Sequence, residues 1–562
     1  MVCDSRTYQS CRRRLASGSV SVLGAGYWRV ALGAVSMLTL AGVHPAKAWD
    51  MYTGVVNGQS LEINLDTTVE YSNIFRVNSP SKVLTNSING NDGDLNFQHG
   101  LVDNTFDVLP VFDLRYGNMG VHVSGEAYID TPYLGRTQND SPLTYNPLSA
   151  NYQHFTSATR NVNGQNAVLL DAYAYDTQYF GANGEQSFTV KFGRQTLLWG
   201  QSLFFANNGI SAGQAPIDVI KAENLPNAQA QQIFLPVGQA VVTYAPNPNL
   251  SFQGYYQFEW EPDTLEGVGS YFSTTDILDK GGQRLLFAPG YGIPRVKDLR
   301  PPINNGQFGF SVQGAVGAWD LGIYALRYDD HAPGTVYLAT PTAPFPGAPP
   351  QYYAPNNYWV VYPRDIQVYG ASFNTVYDGV SIAGEVSGRR NMPLVTGGPI
   401  FSSYPGNASG SPLYAVGSTV AAQVSEIWVS PSLSFDPAGV TVLSELAMNH
   451  VVSVDQNRSA LEPGRDATAA AFQFEVIPTY DSVLPSVDVT LPIGFKYNFL
   501  GRSQVDSTMN RGTGFFNVGV SATYRTVWKA SLTYQDYFGR PDPTLNPLAD
   551  RGYVAFSIQR AF

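Results

Sequence analysis

The chain has 562 residues and a formal net charge of −11, with 14% charged and 13% aromatic residues. Disordered chains are aromatic-poor and highly charged, and coiled coils need abundant Ala, Glu, Lys and Leu, so both are excluded. No stretch beyond residue 50 approaches the ~20 continuous apolar residues of a membrane helix, and the acidic balance disfavours a nucleic-acid partner.

Residues 1–48 read as a secretory signal. Arg12, Arg13 and Arg14 form a basic region, and Val30 to Val43 is a short apolar run. Ala46 and Ala48 are the small residues that a signal peptidase reads. Cleavage after Ala48 removes Cys3 and Cys11, and with them any disulfide or Cys-based metal site. The mature chain, 49–562, then carries 27 basic against 43 acidic residues, a balance of −16.

From there the hydropathy period is two. Leu61, Ile63, Leu65, Thr67, Val69 and Tyr71 alternate with Glu62, Asn64, Asp66, Thr68, Glu70 and Ser72. The pattern returns at Val121–Asp130. It returns again at Phe252–Glu261, where Phe252, Tyr256, Phe258 and Trp260 share a face, and at Trp528–Gln535. Strands this long with one aromatic-rich face suit a bilayer. Eighteen segments qualify: 58–76, 104–116, 120–131, 166–180, 186–198, 237–245, 250–261, 306–316, 319–329, 363–376, 380–389, 421–436, 439–452, 470–481, 486–500, 512–525, 528–537 and 551–562. Gaps between them alternate long and short. The short ones hold turn chemistry, as at Gly117-Asn118, Asp378-Gly379 and Asp436-Pro437-Ala438-Gly439.

The expected fold is all-β: a transmembrane antiparallel up-and-down β-barrel of 16–18 strands, with short periplasmic turns and long extracellular loops. The last strand sets Val554, Phe556, Ile558, Arg560 and Phe562 on one face. That pattern resembles the assembly signal read by the barrel-assembly machinery, with Phe562 as its key residue. A two-sheet soluble sandwich also explains the alternation, but not the leader, the loop asymmetry and Phe562 together.

The inward parity holds Glu62, Asp66, Glu70, Arg115, Glu126, Asp171, Lys191, Glu259, Arg327, Glu385, Arg389, Glu445, Lys496 and Lys529. These are lumen-lining candidates, as a wet wall or as a selectivity ring. Arg194 falls on the lipid parity, which requires a rim position or a bulge. The segment 199–236 begins at Trp199, contains Pro216 and Asp218, and is a candidate constriction or a plain surface loop. The Tyr-rich outer loops (Tyr352, Tyr353, Tyr358, Tyr362) offer aromatic contact to a greasy substrate. Asn89-Gly90-Asn91-Asp92-Gly93-Asp94 clusters oxygen ligands, as a calcium loop or an Asx-rich turn. His122 faces the lumen, His450 lies near a lipid-facing rim, and no local histidine spacing suits a metal. No catalytic residue, cofactor or metal site is assigned, and the chain does not read as an enzyme.

Several stretches carry a family resemblance across nearly the whole mature chain. They are Asn91–Phe97, Leu170-Asp171-Ala172-Tyr173, Gly193–Ser202, Tyr256–Trp260, Tyr271–Thr274, Tyr362–Ile366, Gly384–Ser387 and Asn391–Leu394. In this order they resemble the proteobacterial outer-membrane family called domain of unknown function 1302. The resemblance implies an outer-membrane barrel among genes for degrading hydrophobic compounds. The expected function is therefore a passive channel for hydrophobic or amphipathic small molecules, with outer-membrane lipids as its surroundings. A general porin for small polar solutes and a structural or adhesive barrel are the alternatives.

Overall fold

The computed structural model describes residues 49–181, 184–302, 306–339, 355–402, 412–431 and 439–562. Eighteen strands build one closed antiparallel wall. The first six are β1 (Gln59–Arg76), β2 (Gly100–Tyr116), β3 (Met119–Asp130), β4 (Gln165–Phe180), β5 (Gln186–Gln195) and β6 (Val237–Asn247). Next come β7 (Leu250–Gln257), β8 (Gln307–Val316), β9 (Trp319–Tyr328), β10 (Ile366–Tyr377), β11 (Val380–Pro393) and β12 (Val416–Pro431). The last six are β13 (Gly439–Gln456), β14 (Thr468–Leu484), β15 (Val487–Leu500, broken after Thr490), β16 (Gly514–Tyr524), β17 (Trp528–Phe538) and β18 (Tyr553–Ala561). Each strand pairs with the next in the chain, and β18 pairs with β1 to close the ring.

Alternation sets the two faces. Phe308, Phe310, Leu321 and Ile323 are exposed on β8 and β9, whereas Ser311 and Tyr324 on the same strands are buried. Trp319, Tyr377, Trp428, Tyr524 and Trp528 stand exposed near the short turns. A closed wall with an apolar exterior and an aromatic girdle satisfies every backbone group without water, which is what a bilayer demands. No described helix is long and apolar enough to cross a membrane; the strands do so.

All eighteen expected strands are present, and their ends moved. The strand expected over 250–261 stops at Gln257. Trp260, placed on the lipid face by simple alternation, is instead buried in a loop cluster and stacked on His331. The strand expected over 486–500 is interrupted before Pro492, which has no N–H for a ladder. Five short loop strands, Arg284–Ala288, Tyr291–Pro294, Thr335–Ala339, Tyr358–Val361 and Ile400–Ser402, went unanticipated, and so did one strand of the wall's own sheet. Trp49–Val56 pairs with the lower part of β1 through a turn at Asn57-Gly58, both at positive φ. That dipeptide is the preferred tight-hairpin turn. Ala46, Ala48, the residues 436–438 of one expected turn, Tyr352 and Tyr353 lie outside the described residues.

At the other rim the long loops pack on one another. Phe97, Tyr133, Phe155, Tyr271, Phe272 and Leu548 form one buried cluster. Ile277, Leu285, Val336, Tyr358, Val360 and Tyr362 form another around Trp260. Tyr358 and Tyr362 thus make the interior of a cap and are not open to a substrate, contrary to the expectation. Arg551, fully buried, pairs with Asp94 at 3.0 Å, and Arg76 reaches the same carboxylate at 2.9 Å. Asn89 and Asp92 are occupied as well. Asn89 Oδ1 accepts from Leu286 N and Asn146 Nδ2, and Asp92 Oδ2 accepts from Asn146 N. The oxygen-rich run Asn89–Asp94 therefore ties loops together where it enters the short helix Asp92–Asn96. Burial, reinforced by the Asp276 carboxylate, raises the pKa of Asp92 well above the carboxylate range.

Candidate functional site: the lumen and the segment across it

Between β5 and β6 the chain leaves the wall and fills the lumen. Local sequence supplies short stops and starts rather than a long helix. Asp218 caps the helix Val219–Asn224 by accepting from Lys221 N at 3.0 Å. Burial pushes the pKa of Asp218 up to about 7. Gln232 accepts from Gln229 N to start the turn Ala230–Ile233. Pro216, which is buried, accepts from Leu235 N through its carbonyl, so the two arms of the segment close on each other.

Wall carboxylates then hold the segment. Glu445 on β13 accepts the backbone N–H groups of Leu203, Phe204 and Phe205, at 3.1, 2.5 and 2.9 Å. Glu385 on β11 accepts from Gln201 N at 2.6 Å and from Ile210 N at 2.8 Å. Arg389, also on β11, donates to the carbonyls of Asn208 and Gly209. On the opposite side Lys221 places its ammonium between Asp107 on β2 and Glu126 on β3, at 3.0 and 2.8 Å. The same ammonium sits 3.6 Å from the Tyr128 ring centroid. Gln232 also donates to Glu126, and Asn227 to Glu70 and Ser557. A charged acceptor for a backbone N–H is among the stronger hydrogen bonds, worth ~1.5–3 kcal/mol.

Trp199 starts the crossing. It is buried against Tyr255 and Tyr324, with ring centroids 5.0 and 5.8 Å away, and its indole N–H donates to Gln253 at 2.7 Å. Below it, towards the short turns, a cavity of about 370 Å³ is lined by Gln201, Ser251, Gln313, Tyr324, Ser372 and Asn374. The bore is therefore split by the segment.

The other lumen candidates separate into groups. Glu385, Arg389, Glu126 and Glu70 are staples for the segment, and so do not form a free ring. Glu62, Asp66 and Arg115 stand on the inward parity near the short turns, Glu62 opposite Arg115. Asp171 accepts from Ser124 Oγ, and Lys191 lies over Tyr173. His122 binds Asp113 at 2.7 Å and stacks on Tyr173. Lys529 faces inward on β17, and Lys496 lies over Phe205. His450 is exposed and bonded to Thr468.

Two assignments fail at the long-loop rim. Arg327 points outward, because Tyr324, Leu326 and Tyr328 take the inward positions of β9; it pairs with Asp365 and donates to Gly306 O. Glu259 lies past the end of β7 and pairs with Arg194 at 2.7 Å. Arg194 is thus a rim residue beside Gly193, whose φ is +132°. The residues missed by sequence reading are Lys221, Asp107 and Gln232. Asp107 shares the inward parity with Arg115, which was the available signal. Lys221 lies in the short helix of the inserted segment and had none.

The fold and its apolar belt define a transmembrane β-barrel whose lumen is crossed by its own chain. The chain belongs to the family described as "Protein of unknown function (DUF1302)", whose model matches residues 28–562. No curated protein matches it in sequence. Among solved structures it is similar to OccAB3 of Acinetobacter baumannii, at 8% identity and a TM-score of 0.42, covering 89% of this chain and 99% of that one. It is also similar to a BenF-like porin from Pseudomonas fluorescens Pf-5, at 8% identity and TM-score 0.40, covering 89% and 98%. For OccD3 (OpdP) of Pseudomonas aeruginosa the values are 11% and 0.39, covering 96% and 98%.

Proposed function

We propose that the protein is a passive outer-membrane channel for small amphipathic organic molecules, not an enzyme. The carrying observation is the segment 196–236, stapled across the lumen by Glu385, Glu445, Glu126 and Asp107. An eighteen-strand wall alone would enclose a wide aqueous bore. The stapled crossing replaces it with narrow spaces; the one below the crossing is walled by Tyr324, Leu250 and Leu321 and by polar groups such as Gln201, Gln313 and Asn374. Mixed walls of that kind suit solutes with one apolar and one polar end. In this reading residues 1–48 are the leader, the short turns face the periplasm, and the barrel-assembly machinery inserts the mature chain.

The test is electrical. Purified protein in a planar bilayer should give small, steady unit currents. A variant in which Leu203–Gln214 is replaced by a short Gly-Ser link should conduct several-fold more. A wild type as conductive as an open barrel of this size, unchanged by the replacement, would defeat the constricted-channel reading and favour a general porin.

A further inference from the structure

The staples of the inserted segment reach β1–β3, β11–β13 and β18. Between these regions, β14–β17 turn inward a set of side chains with polar atoms that neither wall nor segment pairs. Glu475 Oε2, Asn498 Oδ1, Asn517 Oδ1 and Ser521 Oγ are buried there with no protein partner among the described residues. Burying polar atoms unpaired is costly, so such a face is built to meet something polar in the lumen.

A cavity of about 80 Å³ opens on that face, between the helix Val219–Asn224 and the upper halves of β15–β17. Two charged side chains line it, Lys496 and Glu223, only 9% and 8% exposed. Among the described residues Lys496 forms no ion pair and no hydrogen bond; its ammonium lies 5.2 Å from the Phe205 ring centroid, and the Asp506 carboxylate acts on it only through space. Asp506, on the loop above, is occupied by the N–H and hydroxyl of its neighbour Thr508. Glu223 accepts no hydrogen bond there either. Burial, then the nearby Glu266, raises the Glu223 pKa well above the usual range, which favours the neutral acid, a donor rather than a repelling charge. The rest of the lining is mixed: Asn498, Asn510, Gln535 and several hydroxyl side chains are polar, while Phe515, Tyr537, Leu545 and Leu548 are mostly apolar.

A buried ammonium with no directly contacting anion is expensive, and an entering carboxylate relieves that cost. We propose that this cavity is a recognition site for the carboxylate end of a small amphipathic molecule, with Lys496 as its ionic partner and the apolar body against Phe515, Tyr537 and Leu548. That the bound molecule is in transit rests on the channel reading; the site itself does not.

Saturation-transfer NMR on the whole protein in lipid nanodiscs reads the site without requiring conduction. The probes are butyrate and its neutral isostere butyramide. Wild type should bind butyrate at least about tenfold more tightly, the gain expected of one charge-assisted contact. Lys496→Met should abolish the preference and Lys496→Arg should keep it, which also guards against a misfolded variant. Equal binding of the two probes by wild type, or a preference surviving in Lys496→Met, overturns the proposal. A Lys496-dependent preference in a protein that passes no current supports the site and refutes the channel. Current without any preference does the reverse.

Discussion

Lys221 holds its ammonium 2.8 Å from Glu126, and the two side chains are only 5% and 2% exposed. Asp107 completes the contact, so two wall carboxylates share one ammonium from the segment's helix in a space closed to water. Removing one partner of a buried pair is far more costly than never having built it, because the remaining charge is stranded. Lys221→Met should therefore destabilise the seating of the segment by ~3–5 kcal/mol and raise the unit conductance. Hydrogen exchange at residues 219–233 is the check; unchanged protection there would mean that the pair does not hold the segment.

Glu445 serves the other end of the crossing. Its carboxylate meets three consecutive N–H groups, an arrangement that an amide can only half reproduce. Glu445→Gln should speed exchange at Leu203, Phe204 and Phe205, corresponding to a loss of ~1–3 kcal/mol, while Lys221 contacts persist. Noisier single-channel currents are the expected functional counterpart.

The cap should respond to acid in an unusual direction. Burial pushes Asp276 up to about 7, against the opposing N–H groups of Asp92 and Asn91. Glu266 is also pushed up to about 7 by burial. An acid whose folded pKa lies above its unfolded value near 4 binds more protons when folded. Its penalty to the folded loops grows from about pH 4 to about pH 7 and is lifted as pH falls through the folded value. Proteolytic nicking of the loops, normalised to an unfolded substrate, should be slower at pH 5.5 than at pH 7.5. Asp276→Asn should flatten much of that difference.

Phe562 sits at the seam. Its N–H donates to Thr67 O at 2.9 Å, and the Arg560 guanidinium lies 4.2 Å over its ring. Phe562→Ala should lower the yield of barrel in cell membranes several-fold while leaving refolding into detergent within ~1 kcal/mol of wild type, since a half-exposed ring gains little from burial. Heat-dependent gel mobility distinguishes the two. Equal yields in cells would remove Phe562 from the assembly signal.

The wall was legible because its cause is local. Every second residue meets lipid, and Leu61–Ser72 announces that over twelve positions. Loop roles were not legible, because their partners are distant in sequence. Glu385 and Glu445 carry the inward parity of any wet wall, and what they accept comes from amides some 175 to 242 residues away. Trp260 and Arg327 failed for a related reason. Alternation was extended past Gln257, where the backbone had left the sheet, and on β9 the inward places belong to Tyr324, Leu326 and Tyr328, which pack on Trp199 and its neighbours. The family resemblance anticipated the barrel and said nothing of the stapling.

The strand Trp49–Val56 has a mechanical consequence for closure. It lies along the same edge of β1 as β18, and Trp49 faces Leu65 while Phe562 bonds Thr67. Asp66 is the single residue between those two positions. The last strand therefore cannot slip towards the short turns without colliding with the first. The hairpin is a doorstop for the final register, and shortening it should let misaligned barrels accumulate.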